Sequence, residues 1–152
     1  MRIKGREIFP QGYKALAGVQ QVVDQSSIDH KLMELVKMRA SQINGCAYCL
    51  DMHSKDAIAI GEDPQRLFAL AAWRETPFFS ARERAALAWC ESLTLISDTG
   101  APDDVYEELK AQFSEKEIME LNFAIVAINS WNRLAISQRQ DVGGYVSHRK
   151  PA

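Results

Sequence analysis

The longest apolar helix of the chain is expected in SEKEIMELNFAIVAINSWNRLAIS, residues 114–137. It begins with a capping box, in which Ser114 and Glu117 can each bond a free backbone N–H group of the other. Because the apolar residues that follow cover more than one face, we expect one long helix that lies at the centre of the core or contributes to a subunit interface. These apolar residues are Ile118, Leu121, Ile125, Val126, Ile128 and Leu134.

The rest of the chain is also helical in pattern. Capping and stop signals divide it into six further helices. Ser26-Ser27 can cap the second helix, and a capping box begins at Ser80. Gly45 and Gly61 are suited to end helices. No segment shows sustained alternation of apolar and polar residues, so no strand is expected. The sequence therefore predicts an all-α fold of about seven helices, the first six over about 10–24, 29–43, 46–60, 63–75, 80–96 and 102–113.

Length and composition are those of an ordinary globular protein. A chain of 152 residues predicts a single domain, 1–152, that can bury a core without metals or disulfides. The net charge of −2 and the lack of a strongly basic stretch argue against a nucleic-acid partner. No apolar run approaches the ~18 residues that span a bilayer, and no secretory signal is recognisable. We therefore expect a cytoplasmic protein that does not associate with membranes.

Reactive residues concentrate in the segment GCAYCLDMH, residues 45–53. On a helix, Cys46 and Cys49 share a face, and His53 lies one turn beyond Cys49. A thiol near a helix N-terminus is shifted toward thiolate, and a neighbouring imidazole can remove its proton. A second thiol at this spacing can then close a disulfide. These are the components of a dithiol redox catalyst.

Other interpretations fit the same residues. Zinc could bind Cys46, Cys49 and His53, with Glu34 or water as fourth ligand, but structural zinc sites usually recruit a second pair of ligands and none is present. We therefore predict no metal and no other cofactor; Leu50 after Cys49 also argues against a c-type haem. A general dithiol–disulfide oxidoreductase and a non-catalytic oligomeric module remain open. On composition alone, Glu34 is expected at the surface.

The combined spacing resembles a known family. Glu34, then after eleven residues Cys46-Ala47-Tyr48-Cys49, then after three more His53, is similar to the signature of the alkylhydroperoxidase D-like proteins of the carboxymuconolactone decarboxylase superfamily. The segments 39–45 and 128–133 also look like that family, so the resemblance spans about 32–136. It implies a helical fold built around the cysteine helix and a thiol peroxidase reaction. The decarboxylase branch lacks the cysteine pair, so lactone chemistry is not favoured.

The resemblance also implies roles. Cys49 would be the peroxidatic thiol, oxidised to sulfenic acid by a small organic hydroperoxide, and Cys46 would resolve it to a disulfide that a dithiol or protein reductant recycles. Glu34 and His53 would form the proton relay that activates Cys49, in part through water. The family's peroxidase pattern has a second histidine directly before the second cysteine. Here that position is Tyr48, whose phenol is a poor base near neutral pH.

Features outside the motif give further expectations. Single-domain members of the family look like dimers assembled into trimers of dimers, and the multi-faced apolar helix points the same way, so we predict a dimer-based homo-oligomer, up to a hexamer. Cys90 is expected to be a buried, inert thiol. The C-terminal segment 143–150 is expected to be loose or to reach a neighbouring subunit. The tryptophans are expected in the core or at an interface: Trp73, Trp89 and Trp131.

Overall fold

The computed structural model describes residues 1–150, and within that range all regular secondary structure is helical. The all-α prediction is confirmed, and each of the seven predicted helices is present. The elements are α1 (Gly5–Ile8), α2 (Pro10–Asp24), α3 (His30–Asn44), α4 (Ala47–Ala59), α5 (Pro64–Ala69) with a 3-10 continuation (Leu70–Glu75), α6 (Ala81–Thr94), α7 (Ile96–Thr99), α8 (Asp103–Lys110) and α9 (Glu115–Gln138).

Local capping chemistry sets most of the predicted helix ends. The capping boxes at Ser80 and Ser114 both form. Asp63 caps α5, and Gly45 ends α3 in the left-handed region with φ of 68°. The start of α3 differs from the prediction: the cap is Asp29, not Ser26-Ser27. Its carboxylate accepts two backbone N–H groups of the first turn, which a serine further upstream cannot reach.

Two single-turn helices, α1 and α7, were not predicted. Each has four residues, too few to show the apolar periodicity on which a sequence-based prediction depends. α1 is held by long-range contacts, since the backbone N–H of Gly5 donates to Gln138 Oε1 near the end of α9. Single turns of this kind form because tertiary contacts stabilise them.

The core is built around α3, which packs against α4, α6 and α9. Helix α9 has a buried face and an exposed face, so the expectation that it contributes to the core is confirmed, and a subunit interface on its exposed face stays a prediction. The exposed apolar side chains of α9 are Met119, Phe123 and Val126, while the buried ones include Leu121, Ile125 and Ile128. Among residues 1–150, no helix has the length and hydropathy needed to cross a membrane.

This packing determines where the reactive residues lie. Helices α3 and α4 pack against each other, α9 contacts both of them, and α2 packs on α9. The N-terminus of α4 lies at the end of α3, where the backbone N–H of Cys46 donates to the Ser41 carbonyl oxygen at 2.9 Å. Side chains from α3 and α4 therefore face each other across a buried interface. That interface contains all four of the residues that the sequence singles out for chemistry.

Candidate functional site

The two cysteines lie at the beginning of α4. Cys46 is the N-cap residue, and its sulfur accepts the backbone N–H of Cys49 at 3.4 Å. The Cα atoms of the pair are 5.4 Å apart and the two sulfur atoms lie at disulfide distance. Both side chains are buried. Cys49 thus occupies the first turn of a helix, where free backbone N–H groups favour a thiolate.

Glu34 and His53 are in direct contact across the interface between α3 and α4. Glu34 Oε2 lies 2.7 Å from His53 Nδ1, and both side chains are buried. A carboxylate at this distance favours the proton on Nδ1, which leaves Nε2 of the neutral ring free to accept another. The expectation from composition that Glu34 is a surface residue is wrong, because its exposed fraction is 3%.

A lysine that the sequence analysis did not single out completes this cluster. Lys37 Nζ lies 2.9 Å from Glu34 Oε1, and Lys37 is 4% exposed. Burial by itself would raise the pKa of Glu34. The hydrogen bond and charge of His53, together with the Lys37 ammonium, outweigh burial and lower that pKa to about 2. Glu34 is therefore an anion at neutral pH, held between two partners.

The C-terminal segment packs onto α4 of the same chain, which corrects the expectation that it is loose; contact with a neighbouring subunit stays a prediction. The hydroxyl groups of Tyr145 and Ser147 donate to buried Asp56 at 2.8 and 2.5 Å. Lys55 Nζ donates to the Tyr145 carbonyl at 3.0 Å. Burial and the Asp56 carboxylate raise the pKa of Tyr145 to about 12, so its phenol remains a hydrogen-bond donor near neutral pH.

A cavity of about 520 Å³ reaches the cysteine helix. Of the four residues singled out by the sequence, Cys49 and His53 line it, whereas Cys46 and Glu34 do not. Tyr48, at the position of the second histidine in the peroxidase pattern, also lines it. The other lining residues include buried Lys37, Asp56 and Gln138, apolar or aromatic Met52, Trp131 and Leu134, and exposed Arg6, Asp24 and Arg149.

One group of side chains has the donor types of a metal site. Donor atoms of Glu34, His53 and Asp56 all lie within 4.8 Å of one another. This set differs from the predicted alternative, which combined the two cysteines with His53 and Glu34. Lys37 already bonds one Glu34 oxygen, and the two hydroxyls from the C-terminal segment bond Asp56. The Lys37 ammonium competes with a metal ion for the Glu34 carboxylate. The group is therefore arranged as a network of hydrogen bonds and an ion pair.

The third cysteine lies apart from the site. Cys90 is fully buried and its sulfur donates to the Val36 carbonyl oxygen at 3.3 Å. Burial raises the pKa of Cys90 to about 12. The expectation of an inert thiol at this position is supported, because the thiolate is disfavoured there. The tryptophans also follow expectation in part: Trp73 and Trp89 are in the core, while Trp131 is half-buried beside the cavity.

Comparison with known proteins identifies relatives along most of the chain. A sequence profile of the carboxymuconolactone decarboxylase family matches residues 10–92. The uncharacterized protein YdfG of Bacillus subtilis (strain 168) is 42% identical over 136 residues, which cover 90% of this chain and 92% of YdfG.

Solved structures show the same fold. ATU0492 of Agrobacterium tumefaciens, a protein of unknown function named as a candidate antioxidant defence protein AhpD, superposes with a TM-score of 0.92 at 41% identity, covering 95% of this chain and 99% of that one. The debrominase Bmp8 superposes with a TM-score of 0.80 at 23% identity, covering 89% of this chain and 73% of Bmp8. At that identity the likeness to Bmp8 extends to the fold alone.

Proposed function

Because the chain belongs to the carboxymuconolactone decarboxylase family and is AhpD-like within it, we propose that it is a thiol-dependent peroxidase that reduces organic hydroperoxides. Cys46 and Cys49 are the redox pair, and Glu34 and His53 form the proton relay. The observation that supports this most strongly is the buried contact of 2.7 Å between Glu34 and His53, with His53 and Cys49 lining one cavity. A base, its orienting carboxylate and a nucleophile are what activation of a thiol requires.

The reaction follows from these groups. His53 Nε2 takes the proton of the Cys49 thiol, while Glu34 stabilises the imidazolium that forms. The thiolate attacks one oxygen of the hydroperoxide, so an S–O bond forms and the O–O bond breaks. Sulfur gives up two electrons, and the second oxygen leaves with the proton as an alcohol. The Cys46 thiol then attacks the Cys49 sulfenic acid, giving a disulfide and water, and a dithiol or protein reductant restores the two thiols.

The division of roles between the two cysteines is supported by access. Cys49 lines the cavity and Cys46 does not. His53 is four residues after Cys49 on α4, so it neighbours that sulfur on the same helix face. Cys46 is therefore better suited to resolve the sulfenic acid than to meet the peroxide.

Stopped-flow mixing of the reduced protein with several hydroperoxides tests the proposal, with mass spectrometry of both cysteines. Cys49→Ser should abolish peroxide consumption. Cys46→Ser should keep one turnover, after which dimedone traps a sulfenic acid on Cys49 and excess peroxide over-oxidises it. Cys90→Ser is the matched control, since it removes a thiol remote from the cavity and should react like the wild type. A dimedone adduct on Cys46 would reverse the roles. Failure of the wild type to consume any hydroperoxide would refute the proposal.

A further inference from the structure

Lys37 is a buried cation with unused hydrogen-bonding capacity beside the reactive thiol. An ammonium group carries three N–H donors. Within residues 1–150, Lys37 Nζ has one protein partner, Glu34 Oε1 at 2.9 Å. Lys37 lines the same cavity as Cys49 and His53. Burying a lysine with donors left over costs free energy, so its presence at this position calls for an acceptor that enters the cavity.

The proposed reaction creates such an acceptor. When the thiolate breaks the O–O bond, the second oxygen begins to leave as an alkoxide, which is far more basic than the thiolate that attacks. A preorganised cation in a site that excludes water lowers the energy of a transition state in which this charge develops. His53 is already engaged with Glu34 through Nδ1 and serves the thiol through Nε2. Lys37 is the remaining buried cation of the cavity.

We propose that Lys37 is a catalytic residue whose Nζ–H donates to the leaving oxygen of the hydroperoxide; this rests on the peroxidase function proposed above. As the S–O bond forms and the O–O bond breaks, the two electrons of the O–O bond go to the leaving oxygen. Lys37 stabilises that charge until the oxygen takes up the proton that His53 received from Cys49. The products are the Cys49 sulfenic acid and an alcohol, and Lys37 ends the step unchanged.

A second role for Lys37 has to be separated from this one. Its ammonium also holds Glu34 Oε1, and Glu34 Oε2 is the atom that contacts His53. Loss of Lys37 alone would therefore change both the leaving group and the relay. Comparing Glu34→Gln with the double variant Glu34→Gln/Lys37→Met removes this ambiguity, because both variants lack the carboxylate and the double variant leaves no buried charge unpaired.

The rates are measured by stopped flow at about pH 9, where solvent supplies much of the thiolate, since a free thiol titrates near 8.5. Ring-substituted cumene hydroperoxides vary the acidity of the departing alcohol without changing its size at the reacting atoms. We expect the double variant to be slower than Glu34→Gln by on the order of 10- to 100-fold. This is the effect expected when one hydrogen bond from a charged donor is lost. The loss should be largest for the most basic leaving group. Lys37→Arg should retain part of the wild-type rate.

Lys31→Met is the matched control. It changes a lysine of the same helix to the same residue, and Lys31 Nζ bonds the Gly61 carbonyl oxygen outside the cavity. Its rates should equal those of the wild type. Equal rates and equal leaving-group dependence in Glu34→Gln and the double variant would show that Lys37 is only a counter-ion, which overturns the inference and leaves the peroxidase proposal intact. If the wild type consumed no hydroperoxide, both the role of Lys37 and the peroxidase function would be refuted.

Discussion

The buried anion Glu34 should make a pH-dependent contribution to stability that Glu34→Gln removes. The change of its pKa from an ordinary 4.5 to about 2 corresponds to about 3 kcal/mol of folding free energy at pH 7. Solvent screening does not reduce this figure much, since Glu34 is 3% exposed. Because the pKa is lower in the folded state, the contribution is complete above about pH 4.5 and is lost as the pH falls toward 2.

The assay is urea unfolding followed by circular dichroism, at one protein concentration and with both cysteines in the same redox state. The wild type should exceed Glu34→Gln by about 3 kcal/mol at pH 7 and by roughly 1 kcal/mol at pH 3. Other carboxylates titrate in both proteins and largely cancel in the difference. Loss of the negative charge, and of one of the two oxygens that accept from Lys37 and His53, is the physical cause of the lower stability at pH 7.

Glu7→Gln provides the control for the substitution itself. Glu7 of α1 pairs with Lys4, the N-cap residue of that helix, and both side chains are mostly exposed, at 69% and 70%. A solvent-exposed pair of this kind contributes about 0–1 kcal/mol. A difference between wild type and Glu34→Gln that is the same at pH 7 and pH 3 would refute the reasoning. So would a difference no larger than that of the control.

Further outcomes are expected at other positions. His53→Ala should slow Cys49 oxidation mainly at neutral pH, and raising the pH toward ~8.5 should recover part of the rate because solvent then supplies the thiolate; a pH-independent loss would argue against a relay. Elemental analysis should find no stoichiometric metal, and chelators should not alter thiol labelling; tightly held zinc that blocks labelling would contradict this. Light scattering should find a homo-oligomer that Phe123→Asp shifts toward monomer, since Phe123 and Val126 form part of an exposed apolar strip; a monomeric wild type would refute it. Tyr145→Phe should lower the free energy of unfolding by about 1 kcal/mol through loss of its hydrogen bond to a buried carboxylate, and unchanged stability would argue against that contact.

The sequence predicts the helices well because their ends are set by local chemistry. The capping boxes at Ser80 and Ser114 and the left-handed Gly45 each involve residues within one turn of a helix end, so the signal is visible without tertiary structure. The short spacing between the two cysteines and the histidine is also a local signal that is visible without tertiary structure. Residues three or four apart on one helix are neighbours wherever that helix packs, which is why Cys46, Cys49 and His53 could be grouped.

Contacts between helices are not encoded in such local signals. Glu34 is predicted at the surface from composition, and apart from the alternative of a fourth zinc ligand, only the family resemblance pointed to a role for it. Its burial depends on which face of α3 meets α4. Lys37 and Asp56 were missed for the same reason, because a charged residue on an amphipathic helix is usually solvated. For Lys37 a signal was available: it lies three residues after Glu34, one turn along the same face of α3.

The position of Cys46 outside the cavity lining has a kinetic consequence for the return half of the cycle. In disulfide exchange a reductant attacks one sulfur and expels the other. Cys49 lines the cavity and Cys46 does not, so in the proposed cycle an incoming reductant should attack Cys49 and expel Cys46, whose sulfur accepts a backbone N–H at the start of α4. Oxidant and reductant would then use the same entrance in alternation. Steady-state kinetics should then be ping-pong, with each substrate at high concentration inhibiting competitively against the other.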